Sequence, residues 1–129
     1  MASRVDATDK ALELITKLEK MHGPVMFHQS GGCCDGSAPM CYPRGEFRVG
    51  ASDIKLGEIG GAPFYMSAAQ FEYWRHTHLT IDVVPGRGSG FSLEAPESVR
   101  FLTRSRLFDD AEAQALAAEP VLRGDGTFA

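Results

Sequence analysis

The chain has 129 residues, 17 acidic against 13 lysine and arginine side chains, a net charge of -4 and three cysteines. That length suits one domain, and 43% hydrophobic residues suffice for a core, which excludes wholesale disorder and a disulfide-stapled mini-protein. The mild acidity argues against nucleic acid as a partner, and no apolar run approaches the ~20 residues of a membrane span. Residues 1–22 lack the basic-then-apolar layout of a signal peptide. The expected address is therefore cytoplasmic, where an odd set of cysteines reads as metal-binding or reactive.

The first predicted element is a helix over residues 9–21. Ala11, Leu14, Ile15, Leu18 and Met21 form one apolar stripe, Thr8 or Asp6 can cap its start, and Gly23-Pro24 stops it. Residues 25–28 read as a short strand that runs into the glycine-rich segment 30–37. Two strands are expected at 46–49 and 54–59, and another at 64–66. Ser67 with Gln70 then makes a capping box for a second helix of about two turns, ending near Trp74 or Arg75. The clearest strand is 76–84, with Thr77, Leu79, Ile81 and Val83 on one face and His76, His78, Thr80 and Asp82 on the other. After the glycine-rich break at 86–90, strands are expected at 91–93 and 98–103. Asp109 and Glu112 cap a last helix through Ala118. The sum is α+β: a mostly antiparallel sheet packed with an N-terminal, a short central and a C-terminal helix, as one domain over 1–118 with a flexible tail at 119–129.

Cys33, Cys34 and Cys41 lie within nine residues of one another on a glycine-rich loop. Thiolate sulfur suits zinc, iron or cuprous copper, and a flexible backbone lets several sulfurs converge. The competing reading makes one or two of them small buried hydrophobes. His76 and His78, two apart on a strand, share a face and can reach one ion; a solvated or hydrogen-bonded polar face is the alternative. His28, just upstream of the cysteine loop, is a further candidate nitrogen ligand. The glycine-rich 86–90 leads into a predicted strand rather than a helix, so it reads as a turn and not a phosphate cradle. Nothing in the sequence supplies a Ser/His/Asp set or paired carboxylates. Tyr73 and Trp74 can serve a homodimer interface or the core.

The run from Phe27 through Gly31-Gly32-Cys33-Cys34-Asp35-Gly36 to Cys41-Tyr42-Pro43 resembles a bacterial family known as domain of unknown function 779. The runs 81–94 and 100–108 carry the same resemblance, which spans residues 23–108. Members are met beside aldehyde dehydrogenases and alcohol metabolism, which implies an accessory role with such an enzyme as partner. A weaker resemblance, through Gly31-Gly32-Cys33, Ser67 and Gly88-Ser89-Gly90-Phe91, is to the HesB/IscA A-type iron–sulfur carriers and implies a HesB-like sandwich with Cys33 as a cluster ligand. Their C-terminal Cys-Gly-Cys has no counterpart here. Under this resemblance the ligand set is rebuilt from Cys34, Cys41 and the histidines.

These readings converge on a small cytoplasmic accessory protein, more a binding protein than an enzyme. It is expected to hold a metal ion (iron, an iron–sulfur centre or zinc) through Cys33, Cys34, Cys41, His28, His76 and His78. The rival expectations are a metal-free module that docks on an aldehyde dehydrogenase and a redox-sensitive thiol protein.

Overall fold

The computed structural model describes residues 4–29, 39–44, 53–74, 76–86, 92–94, 98–117 and 122–123. Over these the fold is α+β: β1 (Val5–Ala7), α1 (Asp9–His22), β2 (Val25–Gln29), β3 (Met40–Pro43), β4 (Ile54–Ile59), β5 (Ala62–Met66), α2 (Ala68–Trp74), β6 (Thr77–Pro85), β7 (Val99–Leu107), α3 (Asp110–Ala117) and β8 (Leu122–Arg123). The strands form two sheets, one ordered β1-β6-β7 and the other β3-β2-β5-β4-β8. Most pairings are antiparallel, while β1 with β6 and β2 with β5 run parallel.

Phenylalanine joins the two sheets. Phe27 of β2 stacks on Phe64 of β5 at 6.0 Å between centroids, and meets Phe101 of β7 edge-on at 4.9 Å. All three are fully buried in one core with Leu79 and Ile81 of β6. Helix α1 adds Ala11, Ile15 and Leu18 to that core, the stripe its periodicity predicts. The faces of β6 also follow the alternation, for Leu79 and Ile81 are buried inward while Thr80 and Asp82 stay partly exposed opposite.

The helix ends are set as the residue types predict. Thr8 caps α1, its hydroxyl oxygen accepting from the Ala11 N–H at 3.2 Å, and Gly23 closes it with φ 80°. Ser67 accepts the Gln70 N–H at 3.2 Å ahead of α2. Before α3, Asp109 and Glu112 exchange backbone-to-carboxylate bonds at 3.1 and 2.8 Å, a complete capping box.

Three expectations change. Residues 92–94, expected as part of a strand, form a turn that straps the edge of β3 by hydrogen bonds instead of adding to a sheet. His76 precedes β6 rather than starting it, and β7 runs four residues beyond the expected end, to Leu107. Strands β1, β3 and β8 had no distinct sequence signal: they have three, four and two residues, too few to show a period. Leu122–Arg123, within the expected tail, pair with Ile54 and Lys55 of β4. The strand expected at 46–49 lies outside the described residues, as do the glycines 88 and 90.

Candidate functional site

The six candidate ligands do not share one place. Cys41 sits on β3 opposite Phe27, fully buried, and its thiol is free. Burial pushes its pKa far up, with the nearby carboxyls of Glu94 and Glu19 adding to the rise. Such a thiol stays protonated, which suits a core residue better than a ligand or nucleophile.

His28 is the neighbour of Phe27 on β2, so its ring points to the other face of the sheet. It is 5% exposed, and its Nε2 lies 3.0 Å from Asp53 Oδ2, just ahead of β4. Hydrogen bonding to a carboxylate fixes the ring's orientation. Strand pairing places this histidine at a definite end of the sheet: β2 leaves there, β3 enters opposite His28 through Met40, and Asp53 leads into β4.

His78 lies in the other sheet, on the outward face of β6. Its Nε2 is 2.8 Å from Asp6 Oδ2 of β1, so in the neutral ring the Nε2–H donates to the carboxylate. Nδ1 is buried with no hydrogen-bond partner among the described residues. The strand opposite contributes Arg106, which forms a two-pronged pair with Glu112 of α3 at 2.7 and 2.8 Å. Glu112 is thereby held down to about 2, chiefly by Arg106. Further along this face Asp82 accepts from Thr8 Oγ1 at 3.0 Å, from the Val83 N–H at 2.8 Å and from Arg104 Nε at 2.9 Å. Arg104 foremost lowers its pKa. His76 is exposed beyond the strand, and its backbone carbonyl accepts from Phe108.

Cys33 and Cys34 lie outside the described residues. Cys41, His28 and His78 therefore divide between an inner face and two different outer surroundings, and no group of three His, Cys, Asp or Glu able to hold a metal occurs among the described residues. The face shared by His78 and Asp82 was legible from alternation; their partners Asp6, Thr8 and Arg104 were not, since they come from other elements.

Sequence reasoning gave no role to the buried polar set beside Cys41. Ser92 Oγ accepts the Cys41 N–H at 2.8 Å and donates to the Glu94 carboxyl, and the Leu93 N–H donates to the Cys41 carbonyl at 3.0 Å. Glu94 is 1% exposed, and burial raises its pKa. A second buried polar pair joins β7 to β2, where Thr103 Oγ1 donates to Gln29 Oε1 at 3.3 Å. The sequence offered only Ser-Leu-Glu between a glycine-rich run and Ala-Pro, which does not distinguish burial from a surface turn.

No helix of the described residues is long and apolar enough to cross a membrane. No curated protein matches the chain. The family model described as "Domain of unknown function (DUF779)" matches residues 14–107, and the chain belongs to that family.

Proposed function

We propose that this protein is a small metal- or iron–sulfur-binding accessory protein whose centre lies at the connection between β2 and β3. Cys33 and Cys34 would supply thiolates there, with His28 as the nitrogen candidate. The supporting observation is the position of the His28–Asp53 pair. A carboxylate-oriented imidazole stands at the end of the sheet where β2 departs into the segment that carries both cysteines. Vicinal thiols on a Gly-Gly-Cys-Cys-Asp-Gly segment match the soft-ligand chemistry of zinc and iron. Cys41 is left out because its thiol is buried and kept protonated, His78 because it belongs to the other sheet's outward side, and His76 because it is exposed just ahead of that strand.

The role proposed is support of a cytoplasmic metabolic enzyme, an aldehyde dehydrogenase on the family resemblance, rather than turnover of its own. Elemental and acid-labile sulfide analysis of anaerobically purified protein tests the centre. Wild type is expected to carry metal that falls at least several-fold in Cys33→Ser and Cys34→Ser, and that is retained in Cys41→Ala and His78→Gln. Metal-free wild type from metal-replete cells, or undiminished metal in the Cys33→Ser/Cys34→Ser double variant, overturns it.

One observation favours a metal-free docking module instead. Leu107, the last residue of β7, is 75% exposed beside Arg106, and β7 is the outer strand of its sheet. Co-purification with an aldehyde dehydrogenase that survives removal of all three cysteines but is lost in Leu107→Asp is the outcome that reading requires.

A further inference from the structure

A groove of about 380 Å³ runs between α1 and the end of the three-stranded sheet where β6 stops and β7 starts. That volume is in the range of small-molecule sites, about 300–1,000 Å³. Its uncharged lining is apolar and aliphatic: Leu14 from the helix, Val83, Val84 and Pro85 from β6, and Val99 from β7. Leu14 and Val83 pack against the core behind them, yet both keep part of their surface open. Covering such side chains removes apolar surface from water, which favours an apolar occupant.

The charged residues of the groove all come from α1: Lys10, Glu13 and Lys17. Successive residues turn by about 100° around a helix axis, so their order about α1 follows from their positions. Ala11, Ile15 and Leu18 face the core. Leu14 lies beside that stripe, Lys10 and Lys17 come next, and Glu13 is turned furthest away. The two ammonium side chains therefore leave the helix nearer the aliphatic lining than the carboxylate does. Two cations against one anion leave this rim with a net positive charge, and none of the described residues pairs with Lys10. Among the described residues the lining includes no hydroxyl, amide or aromatic side chain, so nothing there selects a sugar, a base or a ring.

We infer that this groove is a binding site for a small aliphatic carboxylate, its chain against Leu14, Val83 and Val99 and its head group at Lys10. Charge complementarity at the rim sets the sign of the head group, and the aliphatic lining sets the character of the tail. The site is independent of the metal centre proposed above, which uses no residue of α1 or of this sheet.

Titration with sodium octanoate, followed by the methyl resonances of Leu14, Val83, Val84 and Val99, tests it. These methyls are expected to shift saturably, and those of Ile54, in the other sheet, to stay in place. Affinity should rise about fourfold per methylene from hexanoate to octanoate, as each added group is buried. Octylammonium, with the same tail and the opposite charge, should bind several-fold more weakly. Lys10→Glu puts an acid at an exposed position in the first turn of α1, where acids favour the helix, so the variant keeps its fold. It should weaken octanoate several-fold and favour octylammonium. Shifts confined to other methyls, equal affinity for the two head groups in wild type, or undiminished octanoate affinity in Lys10→Glu overturns the proposal. Shifts of the same methyls on dilution of the ligand-free protein would place a second copy in the groove, and overturn it too.

Discussion

Phe27 is the ring at which β2, β5 and β7 meet. Truncation to alanine removes the ring and leaves a cavity between sheets that are held by their own hydrogen bonds and cannot collapse fully. Phe27→Ala should therefore lower stability by about 3–5 kcal/mol in urea unfolding, at the upper range for core truncations. A loss under 1 kcal/mol would mean that the sheets close over the gap. At this scale the sequence was informative about residue type and poor on partners. His28, His78 and Cys41 were recognisable as chemistry-bearing residues, yet their surroundings, an apolar core for the thiol and a carboxylate for each of these imidazoles, are a property of the assembled sheets. His78 illustrates the limit best. Its face follows from alternation, but the carboxylate that holds it, Asp6, stands 72 positions earlier on a strand too short to predict.

At the scale of elements, the local rules and the structure agree wherever an end is fixed by a side chain next to it. The three helices start where their capping residues say, because a cap satisfies backbone groups within the same few residues. Thr8 carries a second duty that no local rule shows. While its oxygen caps α1, its hydroxyl donates to Asp82 of β6, so the start of the helix is tied to the sheet. Thr8→Ala should cost about 1–2 kcal/mol by loss of cap and tie together, and Thr8→Ser should restore most of it, because serine keeps the hydroxyl. If serine restores nothing, the methyl group rather than the oxygen matters. The turn between β4 and β5 was equally missed. Gly60 and Gly61 have φ of 59° and 82° and join Ile59 to its pairing partner Ala62, the two-residue hairpin geometry that glycine favours. A Cβ at Gly61 would meet nothing within 4 Å, so Gly61→Ala isolates backbone strain at about 1 kcal/mol.

For the whole molecule, carboxyls on β6 and α3 and in the turn 92–94 are shifted in opposite directions, and this fixes the shape of stability against pH. Asp82 is lowered, mainly by Arg104, and Glu112 is lowered by Arg106. Their contributions are present above the unfolded carboxyl values of 3.8 and 4.5 and are lost as the pH falls through the native ones. Glu112 is only partly buried and its partner Arg106 is exposed, so its share is screened and small. Glu94 behaves in the reverse sense. Its native pKa lies above 4.5, so its contribution is complete below that value and is lost as the pH rises through the native one. The melting temperature should therefore peak in mild acid and decline on both sides, for separate reasons in separate places. Melting curves from pH 3 to 9 distinguish them: Asp82→Asn should flatten part of the acid limb and leave the alkaline limb in place. Glu94→Gln should do the opposite. A wild-type alkaline limb that Glu94→Gln leaves unchanged would place that decline in groups other than the buried carboxyl.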